Sequence, residues 1–505
     1  MYLLGYDVGS SSIKATLMDA QTGEAIASAT SPKKEMPITA HKPGWAEQNP
    51  NMWWENIKAT TIEIKSQGKT VASALQEVAA IGISYQMHGL VLIDKNQQIL
   101  RDSIIWCDSR AVPIGEKAVD NISSQKCLQH LLNFPGNFTA SKLKWVMENE
   151  PKIYAQIYKA MLPGDYIAFK LTGKVKTTPS GLSEGILWDY QKQDIADIVL
   201  ENYGIDPAIF PEVVPTFSVQ GELTRSAAEQ LGLKTGIKVA YRAGDQPNNA
   251  LSLKVLQPGE IAATAGTSGV VYGIGEKPNY DPQSRVNTFV HVNHTPSKPR
   301  YGVLLCLNGT GILNSWLKHN VMNSDDDYDQ MNDLAGQAPV GSDGLRILPY
   351  GNGAERTLAN RDIGASVHGL NFNTHHRSHL LRAGQEGIVF ALNYGLDIMR
   401  GMGIEIKTVR AGKANMFLSP LFGSAFATVT GAIVELYNTD GSQGAARGAG
   451  LGGGIYKDFQ EMFVGLKTTK TIEPDQCTAI QYKEAYQDWL ENIILPKNWA
   501  QNKRF

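Results

Sequence analysis

The stretch Leu3-Leu4-Gly5-Tyr6-Asp7-Val8-Gly9-Ser10-Ser11-Ser12-Ile13-Lys14 decides the fold class of this chain. The apolar run from Leu3 to Val8 predicts a buried strand, and the small residues from Gly9 to Ser12 predict a tight turn. The run from Ile13 to Met18 predicts a strand that returns beside the first one. The chain therefore opens on a strand–turn–strand unit whose turn is made of glycine and serine.

The same unit recurs half a chain later. Ile261 to Ala265 is a small apolar run, Gly266-Thr267-Ser268-Gly269 is its turn, and Val270 to Tyr272 resumes the extended pattern. Two unrelated hairpins would also give this pattern. The matched spacing favours a duplicated α/β fold whose two halves face each other.

Helix and strand patterns alternate through the rest of the chain. Pro50 after the candidate cap Asn49 predicts a helix start, and its buried face follows at helical spacing: Trp53, Ile57, Thr61 and Ile64. The small residues of 444–450 predict a helix that packs closely against another element. The natural boundary lies near Asn248 to Gln257, which predicts an N-terminal domain of residues 1–247 and a C-terminal domain of residues 248–505.

Composition narrows the class of protein. Of the 505 residues 42% are hydrophobic and 19% are charged, which excludes a mostly disordered chain. The 47 basic and 49 acidic residues leave a formal charge of −2, so nucleic acid and anionic membranes are not expected partners. Four scattered cysteines and an N-terminus without a basic segment predict a cytoplasmic protein in a reducing compartment.

Several textual matches to known motifs lack the context that those motifs need. Gly448 to Gly453 fits GxGxxG without a βαβ lead-in, and Gly181 to Gly185 fits GxSxG without a preceding apolar strand. His375, His376 and His379 are typical of a solvated helix start rather than a metal site. The GxxxxGK[ST] motif is absent from the sequence, so a nucleotide site must differ from a P-loop.

The two glycine turns are better candidates for phosphate binding. A phosphate chain needs several backbone N–H donors and small hydroxyls that leave room for close approach. A carboxylate beside phosphates is repulsive unless a cation intervenes, so Asp7 in front of the first turn implies Mg²⁺. Lys14 on the returning strand is within reach of a phosphate. Asp245 ends a predicted strand at the domain boundary, where clefts form, although a lone Asp in a turn is usually a cap.

The chain resembles the FGGY family of carbohydrate kinases, and the matching segments occur in the same order from Leu3 to about Tyr456. The resemblance rests on an ordered set of segments: Asp7-Val8-Gly9-Ser10-Ser11-Ser12-Ile13-Lys14, Gly44-Trp45-Ala46-Glu47-Gln48, Gln86-Met87-His88-Gly89, Ile105-Trp106-Cys107-Asp108-Ser109-Arg110, Gly164-Asp165-Tyr166, Gly244-Asp245, Gly266-Thr267-Ser268-Gly269 and Gly444-Ala445-Ala446. It implies an actin/Hsp70-like ATPase fold, in which two ribonuclease-H-like domains face a central cleft. It also implies ATP-dependent phosphorylation of a sugar hydroxyl, with D-xylulose to D-xylulose 5-phosphate as the leading case.

The resemblance also implies site residues. Asp245 matches the general base and Asp7 the metal-binding carboxylate of the first phosphate motif. Met87 and His88 match a sugar-contacting pair. A segment near the sugar pocket is matched by Trp106, Asp108 and Arg110. The positions that match phosphate and nucleotide contacts are Gly9, Ser10, Ser11, Ser12, Lys14, Gly266, Thr267, Ser268, Gly311, Ser315, Gly412 and Asn415.

Three departures from the family pattern stand out. Cys107 replaces the usual Asn and is expected to be a small buried hydrophobe. Arg410-Ala411-Gly412-Lys413 replaces a glycine-rich adenosine segment, and Tyr241-Arg242-Ala243 replaces small residues before the catalytic Asp.

Other functions stay open on the sequence. The substrate could be another ketose, polyol or sugar acid, such as ribulose, fuculose or gluconate. The chain could also be an actin/Hsp70-like ATPase that acts as a binding or assembly protein. Among the site residues, Asp108 and Arg110 could pair with each other and brace a loop, and His88 and Trp106 could have only structural roles. A homodimer would suit the family.

Overall fold

The computed structural model describes residues 1–323 and 325–494, which contain two large β-sheets. The first sheet has six strands: β1 (Tyr2–Val8), β2 (Ile13–Asp19), β3 (Ala25–Ser31), β4 (Val78–Tyr85), β5 (Phe217–Glu222) and β6 (Lys238–Gly244). Their spatial order is β5-β6-β4-β1-β2-β3. Strand β1 runs antiparallel to β2 and parallel to β4, so the sheet is mixed.

The second sheet is built from the other half of the chain. It has seven strands: β7 (Glu260–Ala265), β8 (Gly269–Gly275), β9 (Asn287–Val290), β10 (Tyr301–Leu307), β11 (Thr408–Gly412), β12 (Ile433–Tyr437) and β13 (Thr468–Ile472). Their spatial order is β9-β10-β8-β7-β11-β12-β13. Strand β7 runs antiparallel to β8 and parallel to β11.

The two sheets share one five-stranded arrangement. In each, a first strand pairs antiparallel with a second and the second with a third, while two parallel strands follow on the other side of the first. The order β3-β2-β1-β4-β6 therefore matches β10-β8-β7-β11-β12. The turn after β1 and the turn after β7 occupy the same place in this arrangement, which confirms the predicted duplication.

Helices and short strands complete the two halves. The α-helices are Pro50–Ser66, Lys69–Leu75, Val112–Ile122, Ser124–Leu131, Thr139–Asn149, Pro151–Tyr154, Pro163–Thr172, Pro179–Glu184, Asp197–Tyr203, Arg225–Leu231, Asp245–Ser252, Gly311–Val321, Tyr328–Gly336, Arg377–Gly401, Pro420–Thr430, Gly441–Gly452, Phe459–Met462 and Ala479–Ile494. The 3₁₀ turns are Pro207–Ile209, Ser342–Gly344, Arg356–Leu358 and Asn415–Leu418. Five two-stranded sheets join Glu47–Gln48 to Ser103–Ile104, Val91–Ile93 to Lys159–Met161, Lys176–Thr177 to Glu212–Val213, Trp188–Asp189 to Asp194–Ile195, and Arg346–Leu348 to Ser366–His368.

The first long helix forms as its sequence predicts. Helix Pro50–Ser66 begins where the Asn49 side chain accepts a hydrogen bond from the Asn51 backbone N–H. Its buried face includes Trp53 and Ile57, which are fully buried in the core that covers the first sheet. The 3.6-residue period of these apolar positions is what turns one face of the helix towards the sheet.

Helix Gly441–Gly452 links the two halves, because it lies in the chain between strands β12 and β13 of the second sheet but packs on the first sheet. A Cβ on Gly5 of β1 would lie 1.9 Å from the Ser442 carbonyl oxygen, and a Cβ on Gly82 of β4 would lie 1.9 Å from the Ala445 carbonyl oxygen. Only glycine at these two strand positions lets the helix backbone approach so closely. The N-terminus of this helix therefore lies beside the first glycine turn.

The predicted boundary after residue 247 falls inside helix Asp245–Ser252, and the division into residues 1–247 and 248–505 stays a prediction. Across the described ranges, none of the helices combines the length and the apolar character that crossing a bilayer requires.

Candidate active site

The first glycine turn holds Asp7 at the end of β1. The Ser84 hydroxyl of β4 donates to the Asp7 carboxylate at 2.6 Å. The Gly9 N–H donates to the Ser12 carbonyl oxygen at 3.1 Å, and the Gln48 side-chain amide donates to the Ser10 carbonyl oxygen at 2.7 Å. These bonds fix the shape of the turn while Ser11 stays exposed at its tip.

Asp440 joins this group and was missed by the sequence analysis. Lys14 Nζ donates to Asp440 Oδ2 at 2.5 Å, and the other carboxylate oxygen accepts the Gln443 N–H at 3.0 Å. A Cβ on Gly441 would lie 2.4 Å from Asp7 Oδ2, so Asp7 faces the N-terminus of helix Gly441–Gly452. An Asp directly before a helix is a common cap, and this signal could have identified Asp440 from sequence.

The charges of the group are unequal. Burial raises the pKa of Asp7; the Ser84 hydrogen bond opposes this, the negative charge of Asp440 adds to it, and Lys14 opposes it. For Asp440 itself burial also raises the pKa, but Lys14 and the hydrogen bonds outweigh burial and hold that pKa below its usual value. Lys14 forms an ion pair with Asp440, and among the residues that the structure describes no cationic side chain pairs with Asp7.

The second glycine turn borders a cavity of about 520 Å³. The Gly311 N–H donates to the Gly266 carbonyl oxygen at 2.8 Å, and a Cβ on Gly311 would lie 2.3 Å from that oxygen. The start of helix Gly311–Val321 is therefore seated directly on the turn. Five predicted residues line the cavity: Gly266, Thr267, Gly311, Ser315 and Asn415.

Other residues extend the cavity beyond the prediction. Asn314, Tyr328 and Asn332 also line it and were not predicted. Gly412 is outside the lining and ends β11 three residues before Asn415, while Ser268 is partly exposed within the turn. The volume falls in the range of about 300–1,000 Å³ that small-molecule sites occupy.

A larger cavity of about 690 Å³ lies elsewhere. Its lining includes Tyr280, Arg285 and Tyr394 but none of the predicted site residues. The lining of this larger cavity includes neither glycine turn. The smaller cavity, which the second turn borders, is therefore the better candidate for the nucleotide site.

Asp245 lies at the end of β6, where it begins helix Asp245–Ser252. Burial, followed by the negative charge of Asp7, raises the pKa of Asp245 to about 7. The Gln246 side-chain amide donates to the Asp245 carboxylate at 3.2 Å. A carboxyl group with a pKa close to neutral is suited to accept a proton at physiological pH.

His88 follows β4 in a left-handed backbone conformation, with φ of 62°. Its Nδ1 lies 2.8 Å from the Glu184 carbonyl oxygen. Burial lowers the pKa of His88 to about 3, so the ring is neutral at physiological pH. Because a carbonyl only accepts, Nδ1 carries the proton and donates, which leaves Nε2 as an acceptor.

Lys142 forms a hydrogen bond with the backbone of His88 and was not predicted from the sequence. The Lys142 side chain is fully buried, and its Nζ donates to the His88 carbonyl oxygen at 2.8 Å and to the Ile105 carbonyl oxygen at 2.9 Å. Burial lowers the pKa of Lys142 to about 7. One side chain thus ties the His88 turn to the segment that carries Trp106.

Trp106 is half-exposed, and its indole N–H donates to the Ser10 hydroxyl at 3.2 Å. The predicted sugar segment therefore contacts the predicted phosphate turn. Met87 is buried and packs against Gly244, where a Cβ would lie 2.5 Å from the Met87 Cγ. Its side chain therefore supports the backbone just before Asp245.

Asp108 and Arg110 brace a loop. The Asp108 carboxylate is fully buried, accepts the Ala46 N–H at 2.6 Å and accepts the Arg110 guanidinium at 2.6 Å. Arg110 also bridges to Glu47 at 2.6 Å. These contacts occupy both side chains and favour the loop-bracing role over direct sugar contact. Cys107, directly before Asp108, is exposed, so the expectation of a buried hydrophobe was wrong.

The departure before Asp245 has a structural explanation. Arg242 is buried with its Nε 2.9 Å from Asp165, and a Cβ on Gly244 would lie 2.4 Å from a carboxyl oxygen of Glu184. Burial raises the pKa of Glu184 well above its usual range. Arg242 therefore belongs to a buried ion pair behind the segment that carries Asp245, with the Glu184 carboxyl group beside that segment.

The site fits a metal that is held partly by phosphates. Over the part of the chain that is described, His, Cys, Asp and Glu side chains form no group of three or more that could hold a metal. His376 is exposed and precedes helix Arg377–Gly401, whereas His379 is buried in the first turn of that helix, so the prediction of a solvated helix start was wrong for His379. Mg²⁺ is often bound through one or two carboxylates together with waters and substrate phosphates, so Asp7 beside the glycine turn is sufficient.

Two matching domains with glycine turns at equivalent positions define the actin/Hsp70-like ATPase fold. Crystal structures of known sugar kinases superpose on this fold over nearly the whole chain. The crystal structure of xylulose kinase from Rhodospirillum rubrum superposes with a TM-score of 0.86 at 26% identity, covering 97% of this chain and 98% of that one. The structure of gluconate kinase from Lactobacillus acidophilus gives a TM-score of 0.87 at 23% identity over 97% of each chain, which supports the fold alone.

Sequence matches are more specific than the fold. The N-terminal domain of the FGGY family of carbohydrate kinases matches residues 2–252, and the C-terminal domain of that family matches residues 261–452. Xylulose kinase of Bacillus subtilis strain 168 is 29% identical over 469 residues, which is 91% of this chain and 90% of that protein. The chain belongs to the FGGY family of carbohydrate kinases. It is an enzyme that phosphorylates a sugar, and kinases of this family use ATP.

Proposed function

We propose that this kinase transfers the γ-phosphoryl group of ATP to D-xylulose and forms D-xylulose 5-phosphate. The observation that carries the proposal is the carboxyl group of Asp245, whose pKa is raised to about 7 at the end of β6. The negative charge of Asp7, at the first glycine turn, contributes to this rise and supports a base close to that turn. The similarity to xylulose kinases over nine-tenths of the chain supports this sugar in particular.

Asp245 is proposed to accept the proton of the attacking sugar hydroxyl. General-base catalysis of this kind contributes about 10²–10⁴-fold to rate. In phosphoryl transfer the base also orients the hydroxyl, and much of the remaining rate comes from positioning and charge neutralisation. The side-chain amide of Gln246 restrains the Asp245 carboxylate through its hydrogen bond.

His88 and Trp106 are proposed to hold the sugar. The free Nε2 of neutral His88 accepts a hydrogen bond from a sugar hydroxyl, and the fixed Nδ1 contact with Glu184 orients the ring for it. The half-exposed Trp106 ring offers an apolar face to sugar carbons beside the first turn. Lys142 keeps the two segments at a fixed separation.

Asp7 is the proposed ligand for Mg²⁺, and Ser84 holds its carboxylate in place. When bound, the metal neutralises charge on the phosphates. The backbone amides and hydroxyls of residues 9–12 and 266–269 would bind phosphate oxygens. The cavity beside Gly311 and Asn415 would take the nucleoside, with Tyr328 and Asn332 at its wall.

A panel of sugars tests the substrate. Sugar-dependent ADP formation is measured with D-xylulose, L-ribulose, L-fuculose and D-gluconate at equal concentrations. We expect D-xylulose to give the largest kcat/KM by at least about tenfold, since a well-placed hydrogen bond discriminates by about 1.4 kcal/mol. A larger value for another sugar would reassign the substrate within the family. ATP hydrolysis indifferent to every sugar, together with filament formation, would favour an assembly protein.

A further inference from the structure

Arg356 is a cation of the second half of the chain beside the active-site elements. It begins the 3₁₀ turn Arg356–Leu358, which packs on strand β10. The preceding Glu355 carboxylate accepts the backbone N–H of Asn308, the residue after β10, at 2.9 Å. Leu307 at the end of β10 pairs with Gly269 of the second glycine turn. Arg356 is therefore anchored to the strand end that adjoins this turn.

The Arg356 guanidinium contacts Phe138, an aromatic residue of the first half that packs on His88. Its Cζ lies 5.7 Å from the centroid of the Phe138 ring. Phe138 stands edge-on to His88 with ring centroids 4.8 Å apart, and Phe289 of β9 lies 5.6 Å from the His88 ring. These aromatic contacts bring Arg356 to the side of the pocket where His88 is proposed to bind the sugar.

This guanidinium has little to neutralise it. Within residues 1–323 and 325–494, no salt bridge joins Arg356 to a carboxylate, and its guanidinium makes one long hydrogen bond, to the Ser284 carbonyl oxygen at 3.5 Å. The neighbouring Glu355 is directed to Asn308 instead. Arg356 is partly buried, and this burial lowers its pKa. A partly desolvated cation without a counter-ion is available to bind a ligand that supplies the negative charge.

Arg356 and the proposed base, Asp245, both influence the Cys306 thiol. Burial raises the pKa of the Cys306 thiol to about 11, with Glu355 adding to the rise, Arg356 opposing it and Asp245 adding to it. Cys306 directly precedes Leu307 at the end of β10. Arg356 and Asp245 thus act on one thiol, next to the turn proposed to bind phosphate.

We propose that Arg356 binds an oxyanion at the sugar end of the active site. The anion is either the phosphoryl group as it passes to the sugar hydroxyl or the carboxylate of an acidic sugar. A planar guanidinium suits both, because it can donate two parallel hydrogen bonds to carboxylate or phosphate oxygens. The proposal rests on the proposed function.

Arg356 is anchored to the strand end that adjoins the second glycine turn, which is proposed to bind phosphate. This location favours the phosphoryl group over the carboxylate of an acidic sugar. During transfer the bond from the γ-phosphorus to the bridging oxygen of ADP breaks, the bond from phosphorus to the sugar oxygen forms, and the hydroxyl proton passes to Asp245. Arg356 exchanges neither a proton nor electrons in this step. It stabilises charge on the moving group, a role in which loss of one donor typically costs about 10²–10³-fold in kcat.

Two substitutions and a matched control test the proposal. Arg356→Met keeps most of the stem and removes the charge, and Arg356→Lys keeps the charge. Arg361→Met is the control, because Arg361 is an exposed guanidinium of the same segment. Binding of D-xylulose 5-phosphate, D-gluconate and inorganic phosphate is measured by calorimetry, and kcat and KM are measured with D-xylulose. Thermal melting shows which variants are folded.

For Arg356→Met we expect phosphate-ester binding about tenfold weaker and kcat about 10²-fold lower, with KM for D-xylulose changed less than about twofold. Arg356→Lys should recover part of both losses, and Arg361→Met should match the wild type. Selective loss of D-gluconate binding would instead identify the carboxylate as the anion.

Two results would overturn the proposal. A raised KM for D-xylulose with unchanged kcat and ester binding would mean that Arg356 contacts the neutral sugar. Unchanged behaviour of both Arg356 variants would mean that it binds no ligand. If the wild type phosphorylates no sugar, the proposed function fails separately, and inorganic phosphate binding still decides the role of Arg356. If Arg356→Met does not fold, Arg356→Lys and Arg356→Gln provide the comparison.

Discussion

The raised pKa of Asp245 predicts how the rate responds to pH. The base must be ionised to accept a proton, and burial with the charge of Asp7 raises its pKa to about 7. About one-tenth of the base is ionised at pH 6 and about nine-tenths at pH 8, so kcat/KM for D-xylulose should rise about tenfold between these values. An aspartate with the usual pKa of about 3.9 would be ionised throughout this range and give no rise.

The assay is steady-state ADP formation at saturating ATP, with kcat/KM reported because product release often limits kcat. His88 does not titrate in this range, since its pKa is lowered to about 3. Burial also lowers the pKa of Lys142 to about 7, but its protonated form is the one that donates to the His88 and Ile105 carbonyl groups, so its loss of a proton as pH rises would lower the rate rather than raise it.

Glu355 is the matched control, because burial also raises its pKa to about 7. Glu355→Gln keeps an acceptor for the Asn308 N–H and should leave the acid limb unchanged. A profile that is flat from pH 6 to pH 8 in the wild type, or an acid limb that disappears in Glu355→Gln, would refute the assignment of Asp245 as the titrating base.

Two further substitutions test the supports of the site. Gly311→Ala places a Cβ 2.3 Å from the Gly266 carbonyl oxygen, so overpacking should cost about 1–3 kcal/mol of stability and raise KM for ATP about tenfold, whereas Gly336→Ala, which meets no neighbour within 4 Å, should leave both unchanged. Lys142→Met leaves two buried carbonyl groups without their donor, at about 1–3 kcal/mol each, and should raise KM for D-xylulose about tenfold while KM for ATP stays constant; the exposed Lys152→Met is its control, and equal sugar KM values in the two variants would exclude a positioning role for Lys142.

Much of the fold is readable from local sequence patterns. The strands on either side of Gly9 and Gly266 are short apolar runs bounded by turn residues, and the period of Trp53 and Ile57 marks a helix face. The small residues of helix Gly441–Gly452 indicate close packing, although strands β1 and β2, on which it packs, lie more than 400 positions earlier in the chain. Local patterns specify elements, whereas their pairing depends on contacts that the pattern does not encode.

The site was predicted less completely for the same reason. Asp7 and Asp245 carry signals of their own, since Asp7 lies near the end of a strand that leads into a turn, and Asp245 follows a strand and begins a helix. Lys14 is separated from Asp440 by 426 positions, and Lys142 from His88 by 54, so only the fold reveals these contacts. Arg356 stands in a loop without a regular pattern, and its position becomes informative only when Phe138 and His88 are seen beside it.

The most direct measurement is sugar-dependent turnover in Asp245→Asn, with nucleotide binding measured on the same preparation. Asparagine keeps the size of the side chain but cannot accept the hydroxyl proton. The proposed mechanism predicts a loss of kcat of about 10²–10⁴-fold with D-xylulose, while the affinity for ATP changes less than about threefold. Turnover of D-xylulose near the wild-type rate in this variant would contradict the central role given to this carboxylate.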